Sequence, residues 1–262
     1  MNLYKIGAVL AVIICVIALV VSYLTWQDKL ENVLEKPEEA NAQAVDNKKE
    51  EASATETKTT NETSVDIEEL TANMDEQVQQ LFLDRSEGLK MLITGSAALD
   101  SGAPGYAELL KDAVTEAYGD LVDVEVLTIE GTSQSLANID LSQGYDLVLL
   151  EPMTLMNNDR IAIEQEREHI KAFDAALTAK VEDAVLVLHP PQPIYGAGYY
   201  LAQVAALDEF AAINGYAYID HWSAWPDTDD VELKNYLTED GLPNDKGAGL
   251  WAEELEAYFI AD

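Results

Sequence analysis

Basic residues, histidine and cysteine are all scarce in this chain of 262 residues: 15 Lys and Arg, three His and one Cys. One cysteine cannot close an internal disulfide or furnish a multi-cysteine zinc site. Three scattered histidines, with no HxxxH or HxH spacing, argue against a zinc enzyme. The shortage of Lys and Arg is set against 49 acidic residues, for a formal charge of −34. A surface that grips phosphate needs clustered positive charge, so nucleic acid is not an expected partner. There is no GxxxxGK[ST], no GxGxxG and no Asp-x-Asp-x-Asp loop, so the reading includes no nucleotide, metal or other cofactor.

Long apolar runs are also few, but one is present. Residues 6–24, IGAVLAVIICVIALVVSYL, carry no charge. At 1.5 Å per residue they reach about 28 Å, close to the thickness of a bilayer core. A cleaved leader has a shorter apolar core and a prompt small-residue cleavage site, and here ANAQA at 40–44 comes too late. The expectation is an uncleaved anchor within 1–26, with Cys15 as a small apolar residue in the span. Lys5 precedes the span and Asp28, Lys29, Glu31 and Glu35 follow it. That places the N-terminus inside and the remainder outside the cell membrane as a single-pass protein. Residues 27–64 hold almost no large apolar side chain after Leu34 and read as a disordered acidic tether. Residues 65–88 form a lead-in segment. Within it Ile67, Leu70, Met74, Val78, Leu81 and Phe82 share one helical face, predicting a helix over 66–84 that packs on the following domain.

From residue 89 short apolar runs alternate with longer helical patterns. Strands are predicted at 91–94, 124–129, 146–150, 184–188 and 217–220. Helices are predicted at 106–118, 160–181, 199–214, 231–237 and 249–259. Strand–helix alternation implies a parallel sheet covered on both faces, and 89–262 is long enough for one buried core. In such sheets sites form beyond the carboxyl ends of the strands. The loops there hold Ser96 in a Gly-bearing turn, Gly131, Glu151, Asn157 and Asn158, His189, and His221 with Trp222 and Trp225. A later loop holds Asp240. A Ser leaving a strand can expose its hydroxyl, a Gly N–H and an Asn side chain can hold an oxyanion, and a His with an acid can complete acyl transfer. Each has a plainer reading. Ser96 can cap a helix, Asp240 can be a turn residue, and His221 can be a structural residue under Trp222 and Trp225. His169 sits in a charged helix and is expected to be solvated.

Four blocks in this order resemble the SGNH (GDSL-type) hydrolase superfamily, over residue 89 to the end. GSAALDSG at 95–102 is similar to its Gly-Asp-Ser block, Gly131 falls where an oxyanion-hole Gly lies, and Asn157 or Asn158 lies near its Gly-x-Asn-Asp block. DGLPNDKGAGLWAEEL at 240–255 is similar to its final block. EPMTL, HPPQPIY and YIDHWSAWPD resemble membrane-anchored, exported members from Gram-positive bacteria. The resemblance implies a three-layer α/β flavodoxin-like fold with a five-stranded parallel sheet, preceded here by a single transmembrane helix. It also implies ester hydrolysis on an acylated cell-envelope or extracellular substrate. Ser96 would be the nucleophile, Asp240 the acid, His189 or His221 a relocated base, and Gly131, Asn157 and Asn158 the oxyanion donors. Glu151, Trp222 and Trp225 would contact substrate. The departures point another way. Ala97 stands in the strict nucleophile position, Met153 replaces a Gly, and the His expected before Pro243-Asn244 is absent. A second expectation therefore stands beside the first: a catalytically degenerate domain that binds an envelope glycan or a protein partner.

Overall fold

The computed structural model describes residues 67–85 and 88–261. The expected anchor at 6–24 and tether at 27–64 lie outside them, and no helix among the described residues is long and apolar enough to cross a membrane. Two helices open the described chain, α1 (Ile67–Leu70) and α2 (Glu76–Asp84). Then follow β1 (Leu89–Gly95), α3 (Tyr106–Tyr118), β2 (Val122–Thr128), β3 (Leu147–Leu150) and α4 (Thr154–Asn157). The chain closes with α5 (Ile163–Thr178), β4 (Val185–Leu188), α6 (Tyr199–Asn214), β5 (Ala217–Tyr218) and α7 (Asp245–Phe259).

All strand pairs are parallel, in the order β2-β1-β3-β4-β5. The central strands are apolar on both sides, as a sheet between two helical layers requires. Met91 and Ile93 of β1 join Leu147 and Leu149 of β3 on one face, under Leu110 and Val114 of α3 and Trp251, Leu255 and Phe259 of α7. Leu92, Val148 and Leu150 point to the other face, under Ile170, Phe173 and Leu177 of α5 and Leu207 and Phe210 of α6. The chain winds from β1 outward to β2, then back across to β3. This reversal makes the carboxyl ends of β1 and β3 the switch point of the sheet, the place where ligands bind in doubly wound sheets.

Four local expectations need correction. The helix over 66–84 is broken, because the Thr71 hydroxyl bonds back to the Ile67 carbonyl (2.6 Å) and the following turn is tied to α7. Asn73 Nδ2 donates to the Ala257 carbonyl (2.8 Å), and the Asp75 N–H donates to the Tyr258 hydroxyl (3.2 Å). Val78, Leu81 and Phe82 of α2 then enter the same core as β1. The last helix starts at Asp245 rather than 249, since Asn244 Oδ1 accepts from the N–H groups of Lys246 and Gly247 as an N-cap. Residue 247 inside it has to be glycine, because a Cβ there would stand 2.3 Å from the Tyr236 carbonyl oxygen. Val231–Tyr236 is a 3-10 rather than an α-helix, and β5 ends at Tyr218, giving way to a 3-10 turn at His221–Ala224.

Candidate functional site

The chemistry at the carboxyl edge is organised around Glu151, which follows β3 and is fully buried. Its Oε2 accepts from the Ser96 N–H and its Oε1 from the Met153 N–H, both at 2.7 Å. Burial raises the Glu151 pKa, and the hydrogen bonds from Ser96 and Met153 oppose that rise. The approach is possible only because residue 95 is glycine. A Cβ at Gly95 would meet Glu151 Cβ at 2.6 Å and Leu99 Cδ1 at 2.9 Å. Met153 completes the turn with a left-handed backbone, φ 65°.

Ser96 is therefore turned inward. It is 6% exposed, and its Oγ accepts from the Ala98 N–H at 3.3 Å. Its neighbour Ala97 is exposed, as is Asp100 at the far end of the turn. Gly131 is exposed, with φ 102°. Asn157 is fully buried, and its Oδ1 accepts from the Ser133 N–H (2.9 Å), which fastens the turn after Gly131 to α4. Asn158 is half-buried and its Oδ1 makes no hydrogen bond.

The three histidines are engaged elsewhere. His221 is buried and stacks on Trp251 at 4.3 Å. Its Nδ1 accepts from Trp225 Nε1–H at 3.0 Å, and indole can only donate, so Nε2 carries the proton and donates to the Pro190 carbonyl at 2.8 Å. His189 is also buried, within ring contact of Tyr106, Trp251 and His221. Its Nδ1 lies 3.2 Å from the same Pro190 carbonyl. Burial lowers its pKa to about 3 and drives that of His221 down as well, so both are neutral at pH 7. His169 is half-buried rather than solvated, and its Nδ1 pairs with Ser133 Oγ at 2.9 Å. Trp222 donates to the Pro191 carbonyl (2.7 Å) and leans on Tyr200, while Trp225 is buried on His221 and Trp251. These rings brace the loops after β4 and β5.

Asp240 is exposed and lies away from this cluster, on a groove of about 710 Å³ at the same sheet edge. The groove runs between α4, the loop after β4 and the segment 237–242. So Ser96 and Glu151 are brought together, as are Asn157 and the Gly131 turn, and His189 and His221. Among the described residues no side-chain hydrogen bond joins one of these three groups to another.

Sequence reasoning did not single out two features. One is the pair Thr154–Glu166, in which the threonine hydroxyl donates to a carboxylate that is 4% exposed and that burial pushes up to about 7. Its signal was present: Glu166 falls four residues before Ile170, on the apolar stripe of α5. The other is Gln192, buried beside the groove, which had no sequence signal. Among the described residues no cluster of His, Cys, Asp and Glu could hold a metal ion.

No family model matches the chain, and no curated protein matches it in sequence. Solved structures do. A lipolytic-family G-D-S-L protein from Desulfitobacterium hafniense is 17% identical, with a TM-score of 0.52, covering 65% of this chain and 99% of its own. An acetylxylan esterase from Geobacillus stearothermophilus is 15% identical, with a TM-score of 0.52, covering 66% and 94%. A psychrotrophic esterase from Pseudoalteromonas is 18% identical, with a TM-score of 0.50, covering 63% and 93%. The described domain has the α/β fold of the SGNH hydrolases.

Proposed function

We propose that this chain uses an SGNH-hydrolase fold to bind a ligand rather than to hydrolyse one, and that it does so outside the cell on a membrane anchor. The observation that carries the first part is the carboxylate of Glu151 on the Ser96 N–H, with Ala97 exposed beside it. Acyl transfer needs an exposed hydroxyl, a base within reach and N–H donors free to meet an oxyanion. Ser96 has its hydroxyl buried and its N–H occupied. An oxyanion forming there would find that N–H already committed to the Glu151 carboxyl group. The buried, neutral His189 and His221 are both committed to the Pro190 carbonyl rather than to Ser96.

The exported, anchored arrangement is supported by the uncharged run at 6–24 and the acidic tether after it. Both a glycan and a protein fit the ligand of such a domain on sequence grounds. The acidity of residues 89–262, with 32 acidic and 8 basic side chains, disfavours polyanionic wall polymers. The test is exposure of the full chain to a fluorophosphonate serine probe, alongside hydrolysis of p-nitrophenyl acetate. The expected result is no labelling and no turnover above buffer. Stable labelling at Ser96 overturns the non-catalytic reading and restores the esterase one. Membrane anchoring is checked separately by resistance of the full chain to carbonate extraction.

A further inference from the structure

The groove beside Asp240 is unlike the rest of this acidic surface. Leu155, Met156, Ile194, Leu237 and Leu242 line it, and Met156 and Tyr195 remain 37% and 44% exposed. The one buried polar atom of its lining without a partner is an acceptor. Gln192 is 1% exposed, spends its Nε2 on the Gly241 carbonyl (3.0 Å), and leaves Oε1 without a partner. Glu239 and Asp240 add exposed carboxylates at the lip. The one cation present, Lys234, lies over the Tyr195 ring, its Nζ 3.9 Å from the centroid. A cation so placed is held by the ring quadrupole, and the aromatic wall is of a kind that accepts positive charge.

We infer that this groove binds an extended, basic segment of a protein partner, with aliphatic residues seated between Met156 and Leu242 and Arg or Lys donating to Gln192 Oε1, Glu239 and Asp240. An apolar floor demands apolar side chains. Unpaired acceptors demand donors, and a carboxylate lip favours donors that carry charge. The excess acid of the surrounding domain steers such a partner toward the groove. This rests on the binding reading above and names its partner class.

The test is fluorescence anisotropy of the full chain with a fluorescein-labelled peptide of repeating Arg-Leu-Ser. Glu-Leu-Ser and Arg-Ser-Ser peptides serve as controls, and acetylated xylohexaose is titrated by calorimetry. The expected result is saturable binding of Arg-Leu-Ser that is at least about tenfold tighter than either control and weakens with salt. Glu239→Lys with Asp240→Lys, and separately Met156→Glu, should each weaken it about tenfold. Asp112→Lys with Glu116→Lys, the same charge change on exposed positions of α3, should not. All of these positions are exposed, so folding is retained. Equal loss in the α3 variant, or equal binding of Arg-Ser-Ser, reduces the effect to bulk charge and overturns the proposal. Binding of the oligosaccharide with none of the peptide assigns the groove to a glycan and also overturns it. The two readings fail separately: fluorophosphonate labelling at Ser96 ends the non-catalytic one, whereas only the peptide titration decides the groove.

Discussion

Replacing His189 by Phe should change how the stability of this domain responds to acid, by an amount the structure sets. The folded state holds His189 neutral down to about pH 3, because burial among Tyr106, Trp251 and His221 penalises the charged ring. The unfolded chain takes up that proton near pH 6.5. The group therefore costs nothing above pH 6.5. Below it the unfolded state binds one proton more than the native state, so stability falls as pH falls until about pH 3. At 1.36 kcal/mol per pH unit the full loss is about 5 kcal/mol, of which about 2 kcal/mol has accrued by pH 5. Phe keeps the ring packing and strands no acceptor, since the Pro190 carbonyl still receives the His221 Nε2–H. The variant should therefore lose about 1 kcal/mol at pH 7.5 for one missing hydrogen bond, then overtake the native chain as pH falls. The assay is urea unfolding of both proteins at pH 7.5, 6.5, 5.5 and 5.0, read by the fluorescence of Trp251 and its neighbours. Taking the difference between the two proteins removes the part of the His221 contribution that comes from its own burial, the larger cause of its depressed pKa; the smaller part comes from His189 and is lost with it. Parallel stability profiles, agreeing within about 0.5 kcal/mol across this range, would refute the argument, as would an NMR titration of His189 near pH 6.5.

The other predictions are shorter. Glu166 titrates the opposite way: its folded pKa is raised to about 7, so the native state keeps a proton that the unfolded chain releases above 4.5. Glu166→Gln should be less stable than the native chain at pH 5 and gain about 3 kcal/mol on it by pH 8, measured by the same urea titrations. Gly95→Ala should cost about 3 kcal/mol, because its Cβ would press on Glu151 Cβ at 2.6 Å. Combined with Glu151→Gly, which removes that atom, the double variant should recover at least 1 kcal/mol beyond additivity, and strict additivity would show that the contact is not what makes residue 95 glycine.

The domain architecture was legible in the sequence because burial on two faces leaves a pattern. Continuous runs such as Leu147–Leu150 must be sandwiched, and a stripe such as Ile170, Phe173 and Leu177 must face a sheet. The departures at Ala97 and before Pro243 were visible as residue identities. Local sequence also placed the end of α6 before Gly215 and cleanly separated strands from helices, though it misjudged α1 and α2. There a threonine hydroxyl and contacts to α7, about 184 residues away, broke a helix that periodicity alone made continuous.

What each candidate does was decided by contacts between residues far apart in the chain. Ser96 and Ala97 are neighbours with equal claim to the turn; Glu151, 55 residues later, draws the Ser96 N–H inward and leaves Ala97 outside. His189 and His221 both sat at strand ends, where a base belongs. Their rings are instead committed by one shared carbonyl at Pro190 and by contact with Trp251 from the last helix, stacked for His221 and edge-on for His189. The groove needs α4, the loop after β4 and the segment before α7 at once, and Gln192 acquires its unpaired oxygen only when Gly241 takes its nitrogen. Hydrophobic period is a property of neighbours along the chain, so the sequence alone determined the layers. Hydrogen-bond allegiance and burial of charge belong to neighbours in space, so only the tertiary structure decided the site.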